Sequence, residues 1–217
     1  VRKMKVSKKP FIHSQQWLDE KINKIKQSDA VPKLLLHSCC APCSSYVLEY
    51  LSQYFSISVF FYNPNIHPEE EYTRRINNQK RLINQLPVKN KVSYIEGPYE
   101  PSVFFHKVTG LEREKEGGKR CLKCYYLRLE KTAQKADELN FPYFTTTLTI
   151  SPSKNAEIIN QIGHNISINY HLHYLYSNFK KKNGFSRSIV LSDEYNLYRQ
   201  KYCGCIFSIN NDLDNNQ

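Results

Sequence analysis

No stretch of the 217-residue sequence approaches the run of about 18 apolar residues that a membrane-spanning helix needs, so no membrane role is expected. The basic opening VRKMKVSKKP is not followed by an apolar core, and a secretory signal is not expected either. No internal repeat and no low-complexity linker interrupts the middle of the chain, which argues for a single domain. No cysteine lies outside three short segments. Disulfide staples are usually scattered to close loops, whereas metal and redox ligands come in tight local groups that the fold brings together. An odd number of clustered cysteines without a signal fits a reducing, cytoplasmic location, where thiols bind metal or turn over.

The three segments hold seven cysteines. Cys39, Cys40 and Cys43 form CC-x-x-C within the stretch His-Ser-Cys-Cys-Ala-Pro-Cys at residues 37–43. Cys121 and Cys124 form C-x-x-C, and Cys203 and Cys205 form C-x-C. Buried free cysteines acting as small hydrophobes are the bland alternative. The spacings match ligand geometry better than core periodicity.

The 16 tyrosines and 11 phenylalanines allow a sizeable core although apolar residues make up only 40% of the chain. The formal charge of +11 implies an anionic partner, with nucleic acid the leading candidate and a solvated lysine-rich surface the alternative.

Hydrophobic periodicity orders the chain. A basic arm over residues 1–10 and an amphipathic helix over 11–27 form a peripheral extension, 1–32. Strands are expected over 33–37, 57–62, 92–95, 143–149 and 171–175. Helices are expected over 44–54, 69–86, 101–108, 122–139, 153–162 (capped by Ser153) and 187–198. Strands alternating with helices predict an α/β domain over 33–208, a mostly parallel five-stranded sheet with helices on both faces. Residues 209–217 read as a polar, disordered tail. The first cysteine segment then lies at the carboxyl end of a strand, where open α/β sheets build their sites.

Four thiolates from two segments can hold zinc or an iron–sulfur cluster. Cys39, Cys40, Cys121 and Cys124 can supply an all-thiolate shell, with Cys43 a further ligand or a neighbouring thiol. Glycine within Cys203-Gly204-Cys205 permits the strained ring of a C-x-C disulfide, a reversible two-electron carrier, and a ligand role is the alternative. His37 is a possible ligand, although a histidine ending a buried strand is more often a satisfied core residue. Tyr62, Asn63 and His67 fall on the same edge and are candidate substrate contacts; turn chemistry explains the asparagine equally well. Arg74, Arg75, Lys119, Arg120, Lys180, Lys181, Lys182, Arg187 and Arg199 flank the cysteine segments as candidate phosphate contacts, with a solvated helix face the alternative for Arg74 and Arg75.

Five stretches together resemble the epoxyqueuosine reductases of the QueH type: LLLHSCCAPC (34–43), FFYNPNIHPEEEYTRR (60–75), GLEREKEGGKRCLKCYYLRLEKTA (110–133), YFTTTLTISPSKN (143–155) and FKKKNGFSRSIVLSDEYNLYRQKYCGC (179–205). The resemblance spans about residues 33–208. It implies reduction of the epoxycyclopentane of epoxyqueuosine to the cyclopentene of queuosine at the wobble position of tRNA. It also implies a fold like the adenine nucleotide alpha hydrolases, a 4Fe–4S cluster, an adjacent iron ion and a redox-active C-x-C pair. tRNA carrying epoxyqueuosine is the implied partner, with an unidentified electron donor. The fold's usual Ser-Gly-Gly nucleotide turn is replaced by Ser38-Cys39-Cys40-Ala41-Pro42, so ATP use is not expected. A zinc-stabilised RNA-binding module and a tRNA-thiolation enzyme are the competing readings, and the latter needs the missing nucleotide turn.

Overall fold

Leu34, Leu35 and Leu36 leave no room for alternation with polar residues, and all three are fully buried. A strand of this kind must be covered on both faces. Burial of each leucine contributes about 1.5–3 kcal/mol. They form β1 (Lys33–His37), the centre of an all-parallel sheet with order β3–β2–β1–β4–β5. The other strands are β2 (Ser56–Phe61), β3 (Val92–Glu96), β4 (Tyr143–Thr146) and β5 (His173–Tyr174). This computed structural model describes residue 10 and residues 12–209. The expected basic arm, apart from Pro10, and the tail from residue 210 lie outside the described residues.

Register assigns each leucine a face. Leu36 pairs with Val59, and both enter a core with Leu18 and Ile22 of α1 (Ser14–Lys26), Val47 and Leu48 of α2 (Ala41–Leu51) and Leu82 of α3 (Glu69–Gln85). Leu35 pairs with Phe144 on the opposite face, under Leu129 and Ala133 of α5 (Lys119–Glu138) and Ile159 and Ile166 of α6 (Ala156–Asn169). α4 (Pro101–Val108) packs on α5, and α7 (Gly184–Glu194) packs on α2. The α/β class is therefore as the alternating pattern predicts. α1, expected as a peripheral addition, buries Leu18 and Ile22 in the main core because its apolar stripe has the sheet's helix layer to lie against.

Several boundaries differ from expectation. β4 stops at Thr146, whose hydroxyl accepts from the Leu148 amide at 3.1 Å and turns Thr147–Ile150 into a 3-10 turn. α6 begins at Ala156 rather than Ser153, because Asn155 accepts from the amides of Glu157 and Ile158 at 2.9 and 3.2 Å. α7 ends at Glu194, and Asn196 follows with φ of 46°, which frees the chain before the third cysteine segment.

β1 runs outward to β2 and β3 on one side and the chain returns to β4 and β5 on the other. The order reverses between β1 and β4. Crevices at such a switch point, beyond the carboxyl ends of the strands, are where doubly wound sheets place their sites.

Candidate metal and thiol site

The carboxyl ends of β1, β2 and β4 are tied by His37. Its Nε2 faces the Tyr62 carbonyl at 3.2 Å, which only accepts, so Nε2 carries the proton and Nδ1 accepts from the Thr146 hydroxyl at 2.8 Å. Complete burial, with the Arg128 charge adding to it, pushes the imidazole down to about 3 and keeps it neutral. His37 is therefore a satisfied core histidine that fixes the platform under the cysteine loop.

Beyond that platform the chain turns into α2, with Cys40 as the extended N-cap residue and Pro42 in the first turn, where a missing N–H costs nothing. The turn gathers Cys39, Cys40 and Cys43 so that their sulfurs all lie within 4.8 Å of one another. The Cys39 and Cys40 sulfurs are 3.8 Å apart, and Cys39 also meets the Thr147 hydroxyl at 3.6 Å. From the far end of the chain, Gln200 donates to the Cys40 sulfur at 2.9 Å. Hydrogen bonds from Cys40 and Cys43 hold the Cys39 thiol well below its usual range, while the bond to Cys39 pushes Cys40 up to about 12 and raises Cys43. One thiolate is thus favoured in the group, and a metal ion would be needed to stabilise more.

The second segment opens α5, where Cys121, Cys124 and Arg128 share one helix face by their spacing. The Gly117 amide donates to the Cys121 sulfur at 3.2 Å. Cys124 is buried beside Phe104, Val108 and Cys205, and burial pushes its thiol up to about 12.

The third segment is held from two sides. Arg75 on α3 donates to the carbonyls of Cys203 at 3.1 Å and Tyr202 at 3.3 Å, while its Nε pairs with Glu71 at 2.7 Å. The His67 amide donates to the Gly204 carbonyl at 2.8 Å, and the Tyr202 hydroxyl donates back to the His67 carbonyl at 3.0 Å. Gly204 adopts φ of 101°, and a Cβ there would sit 2.9 Å from both Arg75 Nη1 and Ile66 Cγ1. The glycine of the C-x-C is thus required by the backbone and by the close approach of Arg75.

Cys39, Cys43 and Cys203 line one cavity of about 330 Å³ together with Arg75, Arg128 and Lys154. Arg128 is fully buried, and its Nη2 has no partner. The cavity therefore joins thiols of the first and third segments beneath three cations, while the second segment reaches the third through Cys124 and Cys205. Sulfur ligands with buried cations beside them suit an anionic metal–thiolate centre. Cys39, Cys40 and Cys43 form a group that can hold a metal ion.

The other residues expected at the site are dispersed. Asn63 is fully buried and donates to the Ser38 carbonyl at 2.8 Å, so it shapes the cysteine loop. Tyr62 is buried, with its hydroxyl 3.4 Å from Glu100. His67 acts through its backbone on the third segment. Arg120 is buried, donates to the carbonyls of Leu111, Glu112 and Glu114, and stacks over Phe207 at 5.0 Å. Lys180 donates to the carbonyls of Thr149, Ser151 and Lys154 at 2.9–3.3 Å. Lys182 pairs with Asp19 at 2.7 Å, and Arg187 pairs with Glu49 and Glu194 at 2.6 and 2.9 Å. Lys181 is exposed, as is Arg199 at the cavity. Arg74 is exposed over the Tyr198 ring at 4.9 Å. Arg128, Lys154 and Gln200 were not singled out from the sequence. The only sequence signal for Arg128 is its place one turn beyond Cys124, a spacing any amphipathic helix shares.

A family model described as Epoxyqueuosine reductase QueH matches residues 34–211. Curated proteins bearing that name are similar over most of the chain. The protein of Streptococcus pyogenes serotype M1 is 46% identical over 192 residues, covering 87% of this chain and 75% of the relative. That of Staphylococcus epidermidis is 49% identical over 181 residues, 82% of this chain and 76% of its own. That of Staphylococcus aureus is 44% identical over 212 residues, 96% of this chain and 87% of its own.

Proposed function

The chain belongs to the QueH family of epoxyqueuosine reductases, and on that premise we propose that it is an oxidoreductase that reduces epoxyqueuosine to queuosine at the wobble position of tRNA. The observation that carries the reading furthest is the convergence of the cysteines. Cys39, Cys43 and Cys203 line one cavity, and Cys124 and Cys205 share one buried cluster. A reaction that moves electrons between a metal centre, a thiol pair and a bound base needs this proximity.

Cys39, Cys40, Cys121 and Cys124 are the proposed ligands of a 4Fe–4S cluster, and Cys43 is an additional ligand toward a neighbouring iron. When bound, such a centre supplies single electrons, and an iron with an open position supplies a Lewis acid for the epoxide oxygen. Removing that oxygen consumes two electrons and two protons, leaves the alkene and releases water. Cys203 and Cys205 balance it: two thiols give up two electrons and two protons as they close to a disulfide. An electron donor outside this chain then reopens the disulfide. Arg75, by gripping the Cys203 and Tyr202 carbonyls, keeps the pair at the cavity.

The tRNA is proposed to be held by cations that the fold leaves exposed, among them Lys181 and the cavity-lining Arg199 and Lys201. The wobble nucleotide would leave its stack to enter the cavity, at a cost of a few kcal/mol. Lys180 and Arg120 are bonded to backbone carbonyls of the fold, so their part in tRNA binding is secondary, whereas Lys182 and Arg187 sit in part-exposed ion pairs that a phosphate would have to compete with. With tRNA as substrate, the reaction belongs to the cytoplasm, and no helix among the described residues is long and apolar enough to cross a membrane.

The deciding assay incubates anaerobically purified protein with epoxyqueuosine-containing tRNA and a strong reductant, then weighs the digested nucleosides. Conversion to a product lighter by one oxygen is expected. A colourless zinc-containing protein that binds the tRNA and leaves the epoxide intact would overturn the reading.

A further inference from the structure

Arg128 approaches the cysteines from inside the fold. It stands on α5 one turn beyond Cys124 and is 1% exposed. Its nitrogens are poorly used. Nη1 lies 3.4 Å from the Asn63 side-chain oxygen, Nε lies 3.4 Å from the Cys124 carbonyl, the guanidinium carbon stands 5.8 Å from the centre of the Tyr125 ring, and Nη2 is buried without a hydrogen-bond partner.

The other arginines buried or paired in this fold contrast with it. Arg75 has Glu71 at 2.7 Å, Arg187 has two glutamates, and Arg120, whose Nε is also without a hydrogen-bond partner, gives its Nη1 to three carbonyls. Among the described residues no carboxylate pairs with Arg128. An ion in a protein interior is normally paired, because leaving it uncompensated is among the costliest arrangements a fold can adopt. The guanidinium instead lines the cavity that holds Cys39, Cys43 and Cys203. It is placed where an anion among those cysteines would meet it.

We propose that Arg128 is the counter-charge of the anionic iron–sulfur centre held by the surrounding cysteines, and that it sets that centre's reduction potential. The inference rests on the proposed reading that these cysteines hold such a centre. A thiolate-ligated cluster carries net negative charge, which grows by one when it is reduced. A fixed cation beside it therefore stabilises the reduced form more than the oxidised one. Arg128 acts through the centre and does not itself touch the reacting atoms of the substrate.

The test compares wild type, Arg128→Lys and Arg128→Met, purified anaerobically, for iron and sulfide per chain, reduction potential by redox titration, and melting of the iron-free protein. Arg128→Met should hold a centre whose reduced-to-oxidised ratio at any set potential falls at least about tenfold, a shift of about 59 mV for a one-electron couple. Arg128→Lys, which keeps the charge, should lie near wild type. The iron-free Arg128→Met protein should melt above iron-free wild type, because the substitution removes a buried charge that no carboxylate among the described residues pairs; a guanidinium serving only the fold would give the opposite. An unchanged potential in an iron-loaded Arg128→Met protein overturns the proposal. If that variant fails to keep iron, the iron-free melting decides alone, and a lower melting temperature overturns it. Wild type that carries no iron would defeat the cofactor reading and this inference with it, whereas loaded wild type with an insensitive potential would defeat this inference only.

Discussion

The guanidinium of Arg75 donates to the carbonyl of Cys203 at 3.1 Å across 128 residues of sequence, so a side chain of α3 holds the last cysteine segment in place. The same guanidinium takes the Tyr202 carbonyl and the carboxylate of Glu71, and Glu71 in turn accepts from the Tyr198 hydroxyl at 3.0 Å. The segment from residue 198 to 205 has no regular ladder or helix of its own, and this set of bonds stands in for one.

Arg75→Met would leave Glu71 buried without its cation, and breaking a buried pair from one side costs about 3–5 kcal/mol. Denaturant unfolding should show a loss of that order. With the carbonyls released, alkylation of Cys203 and Cys205 in the native protein should quicken by about tenfold or more as local opening becomes easier. Arg75→Lys should fall between, since an ammonium lacks the planar fork that grips two carbonyls at once. Equal alkylation rates in all three proteins would show that Arg75 does not hold the pair.

The proposed cluster ligands are separable from the group around Cys43. Cys121→Ala and Cys124→Ala should each lose most iron and sulfide, and turnover with them. Cys43→Ala should keep the cluster's absorbance and lose only metal beyond it. Iron at the wild-type level in both α5 variants would remove those residues from the ligand set.

Cys203→Ser and Cys205→Ser should leave the iron content and visible spectrum intact while stopping repeated turnover, because the thiol pair would no longer accept and return two electrons. Mapping of thiols before and after one turnover should show two lost per product, both in the peptide containing Cys203 and Cys205. A bleached cluster in either variant would make these residues ligands instead.

The lysines at 180–182 should behave differently from one another although they are adjacent in sequence. Lys180→Met strands three carbonyls that its ammonium now satisfies, and a stability loss of about 1–3 kcal/mol is expected with little change in tRNA affinity. Lys181→Ala should cost no stability and should reduce the slope of log affinity against log salt by about 0.7–0.9 if it meets one phosphate. Binding titrations across a salt series, paired with thermal melts, separate the two effects.

Local pattern determined much of this protein. The leucine triplet at residues 34–36 cannot be half-exposed, the strand–helix alternation admits few other architectures, and a cysteine loop after a central strand falls on the edge where such sheets build sites. These features are carried by neighbours in sequence, which is why periodicity and turn chemistry reveal them. What only tertiary structure decided is which distant groups meet. The strand order puts Cys39 against Thr147, a separation of 108 residues, and the return of the chain after α7 brings Gln200 to Cys40 across 160. Lys180 and Arg187 look like phosphate contacts in a basic stretch, yet the fold supplies carbonyls and carboxylates that take up their charge. Arg128 shows the converse, for nothing in its helix distinguishes it, and its burial without a carboxylate partner exists only once α5 has been packed on the face of the sheet. Charge in a sequence is a property of one residue, whereas compensation is a property of everything packed around it.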